Sequence, residues 1–268
     1  MVCRLRQGRT HVKLLPGHTA ALGFLLGVLT STIVGWSRIT AQVALLPLAI
    51  ILSVFLTTFL HEVVHIVFAK AVGGGHVRVK IIAYRRLIPV GVGVGFSNPL
   101  SLVRWSVVAL APLLFLSPIL LALGGLEGLL GVVFSLAFLM NAVGSCGDLL
   151  LVVLAASAGS QARVMDEGER VVLEGSPRPW AVLLLDLIYI FTITWIVLSA
   201  LLFLTAPALQ RSVTIMGITL VEYMHAGNEV RAGVGPGVLL VALAISLVFE
   251  AWKGTNRAQK LLSSFEST

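Results

Sequence analysis

Six apolar runs constrain this sequence more than any other feature, since each is long enough to form a helix that crosses a bilayer. A spanning helix needs about 20 predominantly apolar residues. The runs cover residues 18–36, 43–70, 103–124, 128–158, 180–206 and 236–252. With 57% hydrophobic and only 12% charged residues, the chain is unlike an ordinary soluble domain. We therefore predict an all-α integral membrane protein with about six transmembrane helices, forming a single domain over residues 1–268.

The basic residues predict which side of the membrane each loop occupies. Of the 19 Lys and Arg residues, all but Arg38, Arg211 and Arg231 fall on the side that would hold both termini. Lys and Arg favour cytoplasmic loops, so both termini are predicted to be cytoplasmic. The basic residues near the ends of the spans would be attracted to anionic lipid. The net charge of +7 therefore does not require a nucleic-acid partner.

Three segments between the runs carry a recognisable pattern. Residues 77–96 contain two alternating stretches around a turn, which predicts a small cytoplasmic β-hairpin between spans two and three. Residues 161–179 are polar and rich in turn residues, which predicts a cytoplasmic loop with Asp166 and Glu167 as solvated charges. The segment 207–236 is predicted on the outer side, with a short surface helix.

The second apolar run contains the sequence H-E-V-V-H, with His61, Glu62 and His65 where lipid-facing residues are expected. Histidines four apart lie on one face of a helix and can bind one metal ion, with the intervening Glu as a general base. Each ionisable side chain costs roughly 2.5 to 3.5 kcal/mol at the centre of a span by insertion scales, so a chance occurrence is disfavoured. A buried polar network without metal is the alternative.

A catalytic zinc requires a third protein ligand and one open position. The metzincin pattern is excluded because Phe68 and Ala71 stand where it requires Gly and His. No acid occurs between Glu62 and Glu127, which falls in a short outer loop, and the next acid is Asp148 within the fourth run. These positions leave Asp148 as the leading candidate for the third ligand.

Depth in the membrane favours the same assignment. Counting from the outer end of each run at about 1.5 Å per residue, His61 and His65 lie about 27 to 33 Å in, and Asp148 lies about 30 Å in. Glu222 and His225 form another E-x-x-H pair, but they belong to the outer segment. The sequence therefore predicts that the side chains of His61, His65 and Asp148 meet at one depth in the membrane.

Further polar residues are assigned supporting roles or left as alternatives. Asn141 precedes Asp148 by seven residues, so it would lie on nearly the same face and bind substrate or support a ligand; a simple bond between helices is the alternative. Asp186 could orient a ligand histidine. His76 could replace Asp148 as a ligand, whereas Cys146 is interpreted as a small packing residue.

With His61, Glu62 and His65 in one helix and Asn141 and Asp148 in a later one, the chain resembles a family of prokaryotic membrane proteins described as zincin peptidases. The layout is also similar to that of the site-2 protease family of intramembrane metalloproteases. The resemblance implies a prokaryotic cell-membrane protein that binds Zn²⁺ through the two histidines and Asp148. It further implies that Glu62 is the general base and that the substrate is a membrane protein or peptide.

The function predicted from these residues is hydrolysis of a peptide bond in or next to the membrane by a zinc metalloprotease. A zinc hydrolase of lipidated substrates would use the same residues. A non-catalytic metal-binding protein, acting as a regulator or a transporter-like bundle, would keep the ligands but could tolerate replacement of Glu62. The sequence alone leaves these alternatives open.

Overall fold

The computed structural model describes most of the chain. The described residues are 2–6, 9–13, 16–34, 43–84, 88–168, 171–175, 177–209, 212–215, 217–226 and 229–266. Arg38 and Arg211, two basic residues predicted for the outer side, lie outside them, as does the tip of the predicted hairpin at 85–87.

The described residues are mostly helical. The helices are α1 Pro16–Ser31, α2 Leu46–Ala71, α3 Leu102–Ala111, α4 Ser117–Leu123, α5 Gly128–Gly144, α6 Cys146–Ser157, α7 Pro179–Leu209 and α8 Gly237–Glu266. A 3-10 turn at Val43–Leu45 precedes α2, and a π-helical turn at Pro112–Leu116 joins α3 to α4.

Five helical segments are long and apolar enough to cross a membrane, which is compatible with membrane insertion. They are Leu46–Ala71, Leu102–Leu123, Gly128–Ser157, Pro179–Leu202 and Gly237–Gly254. The first predicted span also forms a helix, α1, but this helix has 16 residues. At 1.5 Å per residue it reaches only about 24 Å, short of a hydrocarbon core of about 30 Å.

Helices α2 and α5 run side by side in the same direction, and a ladder of hydrogen bonds joins them. The bonds join the Ser53 hydroxyl to the Val133 carbonyl at 2.8 Å, the Thr57 hydroxyl to the Ala137 carbonyl at 3.2 Å, and His61 to the Asn141 side chain at 3.0 Å. The partners are 80 residues apart in every pair, so both helices advance by four residues from one bond to the next. This spacing keeps one face of α2 against one face of α5.

The predicted hairpin is present. Strands β3 (Val77–Tyr84) and β4 (Ile88–Phe96) pair antiparallel, as the alternating sequence indicates. Gly93 and Gly95 let β4 lie against the turn that follows Asp166, where a Cβ atom at Gly93 would collide with the Gly168 carbonyl oxygen. The glycines of this strand thus permit a backbone contact that a larger residue would prevent.

Two segments differ from their predictions because they form strands. Residues 163–174, predicted as an irregular loop, contain β6 (Arg163–Asp166) and β7 (Val171–Glu174). They join a five-stranded antiparallel sheet whose other strands are β1 (Val2–Arg6), β2 (Arg9–Lys13) and β5 (Leu100–Ser101), in the order β1-β2-β7-β6-β5. Strands of four residues show too little periodicity to detect, and β7 pairs with β2, which is remote in sequence.

The outer segment 207–236 also differs from its prediction. Helix α7 extends to Leu209, and the described residues beyond it form strands instead of a surface helix. These strands are β8 (Val213–Ile215), β9 (Ile218–Ala226) and β10 (Glu229–Val234), in a sheet of order β10-β9-β8. Over the described residues the fold is therefore mostly helical with three small sheets, and the prediction of an all-α protein is too simple.

The chain forms two compact units, Met1–Val182 and Leu183–Thr268. In the first unit, α5 occupies the centre of the apolar core, where Val133 and Ala137 are buried with Ala49 of α2 and Leu120 of α4. The second unit contains most of α7, the sheet β8–β10 and α8. The prediction of a single domain stays a prediction.

Candidate metal centre

Two helices of the first unit bring the candidate ligands together. Helix α2 carries His61 and His65 one turn apart, and Asp148 lies in the first turn of α6. Helix α5 ends at Gly144 and α6 begins at Cys146, so the helical run breaks just before Asp148, as the small residues there predict. One ligand atom from each of the three side chains lies within 4.8 Å of the others.

The nearest atoms of the three side chains are separated by much less than 4.8 Å. The Nε2 atoms of His61 and His65 are 3.1 Å apart. The Oδ2 atom of Asp148 lies 3.3 Å from Nε2 of His61 and 3.4 Å from Nε2 of His65. Asp148 Oδ2 is buried and accepts no hydrogen bond from the described residues.

Hydrogen bonds on the far sides of the rings fix the tautomer of both histidines. Nδ1–H of His65 donates to the Val108 carbonyl at 2.9 Å, and a carbonyl can only accept. Nδ1–H of His61 donates to Oδ1 of Asn141 at 3.0 Å. Because each Nδ1 carries the proton of a neutral imidazole, both Nε2 atoms present lone pairs toward Asp148.

The side chain of Asn141 is itself held in one orientation. Its amide nitrogen donates to the Pro112 carbonyl and to the Ser117 hydroxyl, both at 2.8 Å. Pro112 begins the π-helical turn, a local irregularity that is common beside functional sites. The amide oxygen of Asn141 therefore has to face His61, and this contact corresponds to one of the two roles predicted for Asn141.

The geometry and chemistry of these atoms fit a zinc ion. With both imidazoles neutral, two nitrogen lone pairs and one carboxylate oxygen face one another, an arrangement that is repulsive unless a cation or protons neutralise it. Ligand atoms about 2.0 to 2.1 Å from a tetrahedral Zn²⁺ are about 3.3 Å from one another, which matches the separations of the three atoms. His61, His65 and Asp148 could therefore hold a metal and leave one position open.

Glu62 lies beside this cluster. Its side chain is close enough to interact electrostatically with His61, His65 and Asp148. Its Oε2 atom is buried and has no hydrogen-bond partner among the described residues. A carboxylate with a free oxygen in the neighbourhood of the candidate ligands could serve as a general base.

The other predicted or considered residues lie in different surroundings. Asp186 belongs to the second unit, where its Oδ2 atom accepts a hydrogen bond from Nζ of Lys253 at 2.8 Å, so its predicted supporting role stays a prediction. His76 and Glu127 are exposed. Cys146 is buried, and its Sγ atom donates to the Ala142 carbonyl of the preceding turn at 3.4 Å.

Asp166 was interpreted from the sequence as a solvated charge, and the structure corrects this. The residue is partly buried as a whole, but its carboxyl group is enclosed, and Oδ1 accepts the backbone N–H of Gly168 at 2.8 Å. The pKa of the Asp166 carboxyl is raised from 3.8 to about 7, chiefly by burial and to a smaller extent by the charge of Asp148, while the Gly168 N–H and His65 oppose the shift. No pattern in the sequence indicates this burial, because it arises from contacts between distant segments.

Comparison with known proteins gives a match to a family model. A family model described as "Putative zincin peptidase" matches residues 54–163, a region that contains Glu62 and all three candidate ligands. A search of curated proteins and a search of solved structures each found no match. The similarity to the site-2 protease family thus stays a prediction. The segment that carries the candidate metal centre is similar to a family of zincin-type peptidases, and this similarity implies zinc as the metal.

Proposed function

We propose that the protein is a zinc-dependent, membrane-embedded metalloprotease of the H-E-x-x-H type that hydrolyses a peptide bond in or next to the membrane. One observation carries this proposal: two Nε2 lone pairs and one carboxylate oxygen converge at 3.1 to 3.4 Å, with the free carboxylate oxygen of Glu62 nearby. The family match over residues 54–163 supports the same reaction class.

Different residues of this chain would bind the metal, transfer the proton and orient the ligands during hydrolysis. Zinc held by His61, His65 and Asp148 would polarise the scissile carbonyl and make water a better nucleophile. Glu62 takes a proton from the attacking water and gives it to the leaving amine. Asn141 and the Val108 carbonyl keep both histidines in the tautomer that leaves Nε2 free.

A helical substrate hides its peptide bonds in its own hydrogen bonds, so it must unwind before attack. The β3–β4 hairpin is a two-stranded sheet among the described residues, which leaves the outer edge of β3 open for another strand. Arg78, Val79 and Lys80 on this strand are exposed. An unwound substrate segment could pair with this edge and be held extended.

The distribution of charge supports an orientation with both termini in the cytoplasm. The family resemblance supports a prokaryotic cell membrane as the setting, with lipid and a membrane protein or peptide substrate as partners. Nucleic acid is not expected as a partner. The side chains of His61 and Asp148 are 12% and 24% exposed, so the site has limited access to solvent.

The decisive experiment measures bound metal in protein purified in detergent. We expect near one zinc per chain in the wild type and in Glu62→Gln, and a large loss in His61→Ala and Asp148→Ala. His76→Ala is the matched control, because it removes an exposed histidine outside the cluster. A wild type without stoichiometric metal after gentle purification would indicate a polar packing network and refute the proposal.

Cleavage distinguishes the protease from its alternatives. Wild-type protein and Glu62→Gln are reconstituted in vesicles with a panel of single-span peptides, with and without lipid modification, and the products are identified by mass spectrometry. Cleavage of peptide bonds that disappears in Glu62→Gln supports the protease. Release of only the lipid would indicate a hydrolase of lipidated substrates. Zinc binding without Glu62-dependent turnover would favour a regulator or a transporter-like protein.

A further inference from the structure

The carbonyl that holds His65 lies at a helix position where the usual hydrogen-bond donor is missing. The Val108 carbonyl accepts Nδ1–H of His65 at 2.9 Å, and Pro112 stands four residues after Val108. In an α-helix the carbonyl of residue i accepts the N–H of residue i+4, and proline has no N–H. Ala111 and Pro112 both have α-helical φ and ψ angles, so the donor is absent because of the residue type and not because the helix ends.

Burial makes the missing donor matter for both partners. Val108 is 4% exposed and His65 is 9% exposed, so water cannot readily satisfy the carbonyl or the ring N–H. A buried polar group without a partner costs about 1 to 3 kcal/mol. The packing of α3 on α2 brings the two groups together, and Nδ1–H of His65 supplies the donor that Pro112 lacks. One bond thus satisfies the carbonyl and directs Nε2 of the histidine toward the cluster.

Pro112 also contributes to the support of the other histidine. Its side chain is fully buried, and its carbonyl accepts the backbone N–H of Ser117, which closes the π-helical turn. The same carbonyl accepts the amide nitrogen of Asn141 at 2.8 Å, and Asn141 accepts Nδ1–H of His61. Every residue type has this carbonyl, so a substitution at position 112 changes the ring and the donor but retains the acceptor for Asn141.

We propose that Pro112 is a positioning residue for the metal centre, whose missing N–H keeps the Val108 carbonyl available to Nδ1–H of His65. The inference rests on the proposed zinc site. An N–H at position 112 would bind the Val108 carbonyl along the helix axis and compete with His65 for it. Groups that orient a metal ligand typically change metal affinity by 10- to 100-fold when they are lost.

Two replacements at position 112 separate the missing N–H from the proline ring. Pro112→Ala introduces the N–H at a position that is already helical. Lactic acid, incorporated at position 112 by nonsense suppression, has the side chain of alanine but an ester oxygen in place of the N–H. Pro118→Ala is the matched control, because Pro118 is exposed and the carbonyl four residues before it, that of Leu114, is not a partner of either histidine.

Metal-free proteins in detergent are titrated with Zn²⁺ against a competing chelator, and with Co²⁺ while the visible absorption is recorded. We expect Pro112→Ala to weaken Zn²⁺ binding by about tenfold and to shift the Co²⁺ bands. The lactic acid variant and Pro118→Ala should retain the affinity and bands of the wild type. The melting temperature of metal-free Pro112→Ala should be no lower than that of the wild type, because alanine restores a helical hydrogen bond.

Three outcomes would overturn the inference. Wild-type affinity in Pro112→Ala would show that His65 does not depend on the missing donor. Equal losses in Pro112→Ala and the lactic acid variant would show that the ring acts through its packing. A similar loss in Pro118→Ala would show that any added N–H in this run has the same effect. If the wild type itself fails to bind Zn²⁺, the proposed function falls together with this inference, whereas the other results leave that function standing.

Discussion

His61 and His65 each use one ring nitrogen to bind the protein and keep the other for the cluster. Asn141 and the Val108 carbonyl accept the Nδ1 protons, so the arrangement of lone pairs exists without any metal. The sequence could predict both histidines and Asp148 from residue type and spacing. It could not predict the Val108 carbonyl, because any residue supplies a carbonyl and only the packing of α3 on α2 selects this one.

Replacing Asn141 tests whether the tautomer of His61 matters. Asn141→Leu keeps the volume but leaves Nδ1–H of His61 without its acceptor, so we expect Zn²⁺ affinity to fall about 10- to 100-fold. Competition with a chelator measures this loss. Thr192→Val is a control, since Thr192 is buried and its hydroxyl bonds the Ile188 carbonyl of its own helix and no other helix of the described residues. Equal affinity in Asn141→Leu and the wild type would contradict the assigned role.

The raised pKa of Asp166 predicts an unusual dependence of stability on pH. The carboxyl group has a pKa of about 7 in the folded protein and 3.8 as an ordinary aspartic acid. Between these values the unfolded chain has released a proton that the folded chain retains, so the free energy of unfolding falls as pH rises. The fall attributable to this group reaches at most about 4 kcal/mol.

The difference between wild type and Asp166→Asn isolates this effect, since other groups also titrate. We expect the melting temperature of the metal-free wild type in detergent to decrease from pH 4 to pH 7 relative to that of the variant, which cannot ionise at this position. Parallel curves for the two proteins would show that the Asp166 carboxyl titrates normally and is not enclosed.

The elements differ in how well the sequence predicts them. The hairpin β3–β4 could be predicted because its pattern is local, with two alternating stretches on either side of a turn. Strands β6 and β7 could not, because each has four residues and gains its stability from β2 and β5. The ladder between α2 and α5 was also not predicted, since serine and threonine in an apolar helix can equally bond within their own turn.

One hydroxyl of the ladder can be removed without changing side-chain shape. Thr57→Val eliminates the 3.2 Å bond to the Ala137 carbonyl. We expect a destabilisation of about 0.6 kcal/mol, as is typical of hydrogen bonds between membrane helices. Thr58→Val is the neighbouring control, because Thr58 is exposed. Melting temperatures in detergent that are the same for both variants would show that the bond contributes nothing.

The open edge of β3 is expected to bind substrate. Val79→Pro removes a backbone N–H from this strand, so cleavage should fall at least about tenfold while bound zinc stays near one per chain. Val79→Thr retains the N–H group and is expected to cleave normally. Full activity of the proline variant in the vesicle assay would eliminate the hairpin as a substrate-binding element.

Across the whole chain, the family match and the candidate metal centre both fall within the unit Met1–Val182. Residue type and spacing were sufficient to predict that His61, His65 and Asp148 lie close together, because ionisable side chains are rare in apolar runs. Asp186 forms an ion pair with Lys253 within the unit Leu183–Thr268, and its supporting role at the metal centre stays a prediction.

The predicted orientation of the chain can be tested in intact cells. Cys3 should be protected from a membrane-impermeant maleimide, since the positive-inside rule places the amino terminus in the cytoplasm. A cysteine introduced at the exposed Thr214 should be labelled in the same cells. Cell lysis provides the control that Cys3 is reactive. Labelling of Cys3 before lysis would reverse the proposed orientation.

The constant offset of 80 residues between α2 and α5 has a consequence for how this chain can vary. A single residue inserted between Thr57 and His61 would rotate the histidine about 100° around the axis of α2, away from Asn141. Insertions in the turn at 124–127 would not rotate His61 relative to Thr57 within α2, or Asn141 relative to Ala137 within α5. The chain should therefore tolerate changes of length in this turn but not within the helical segments between the ladder and the ligands.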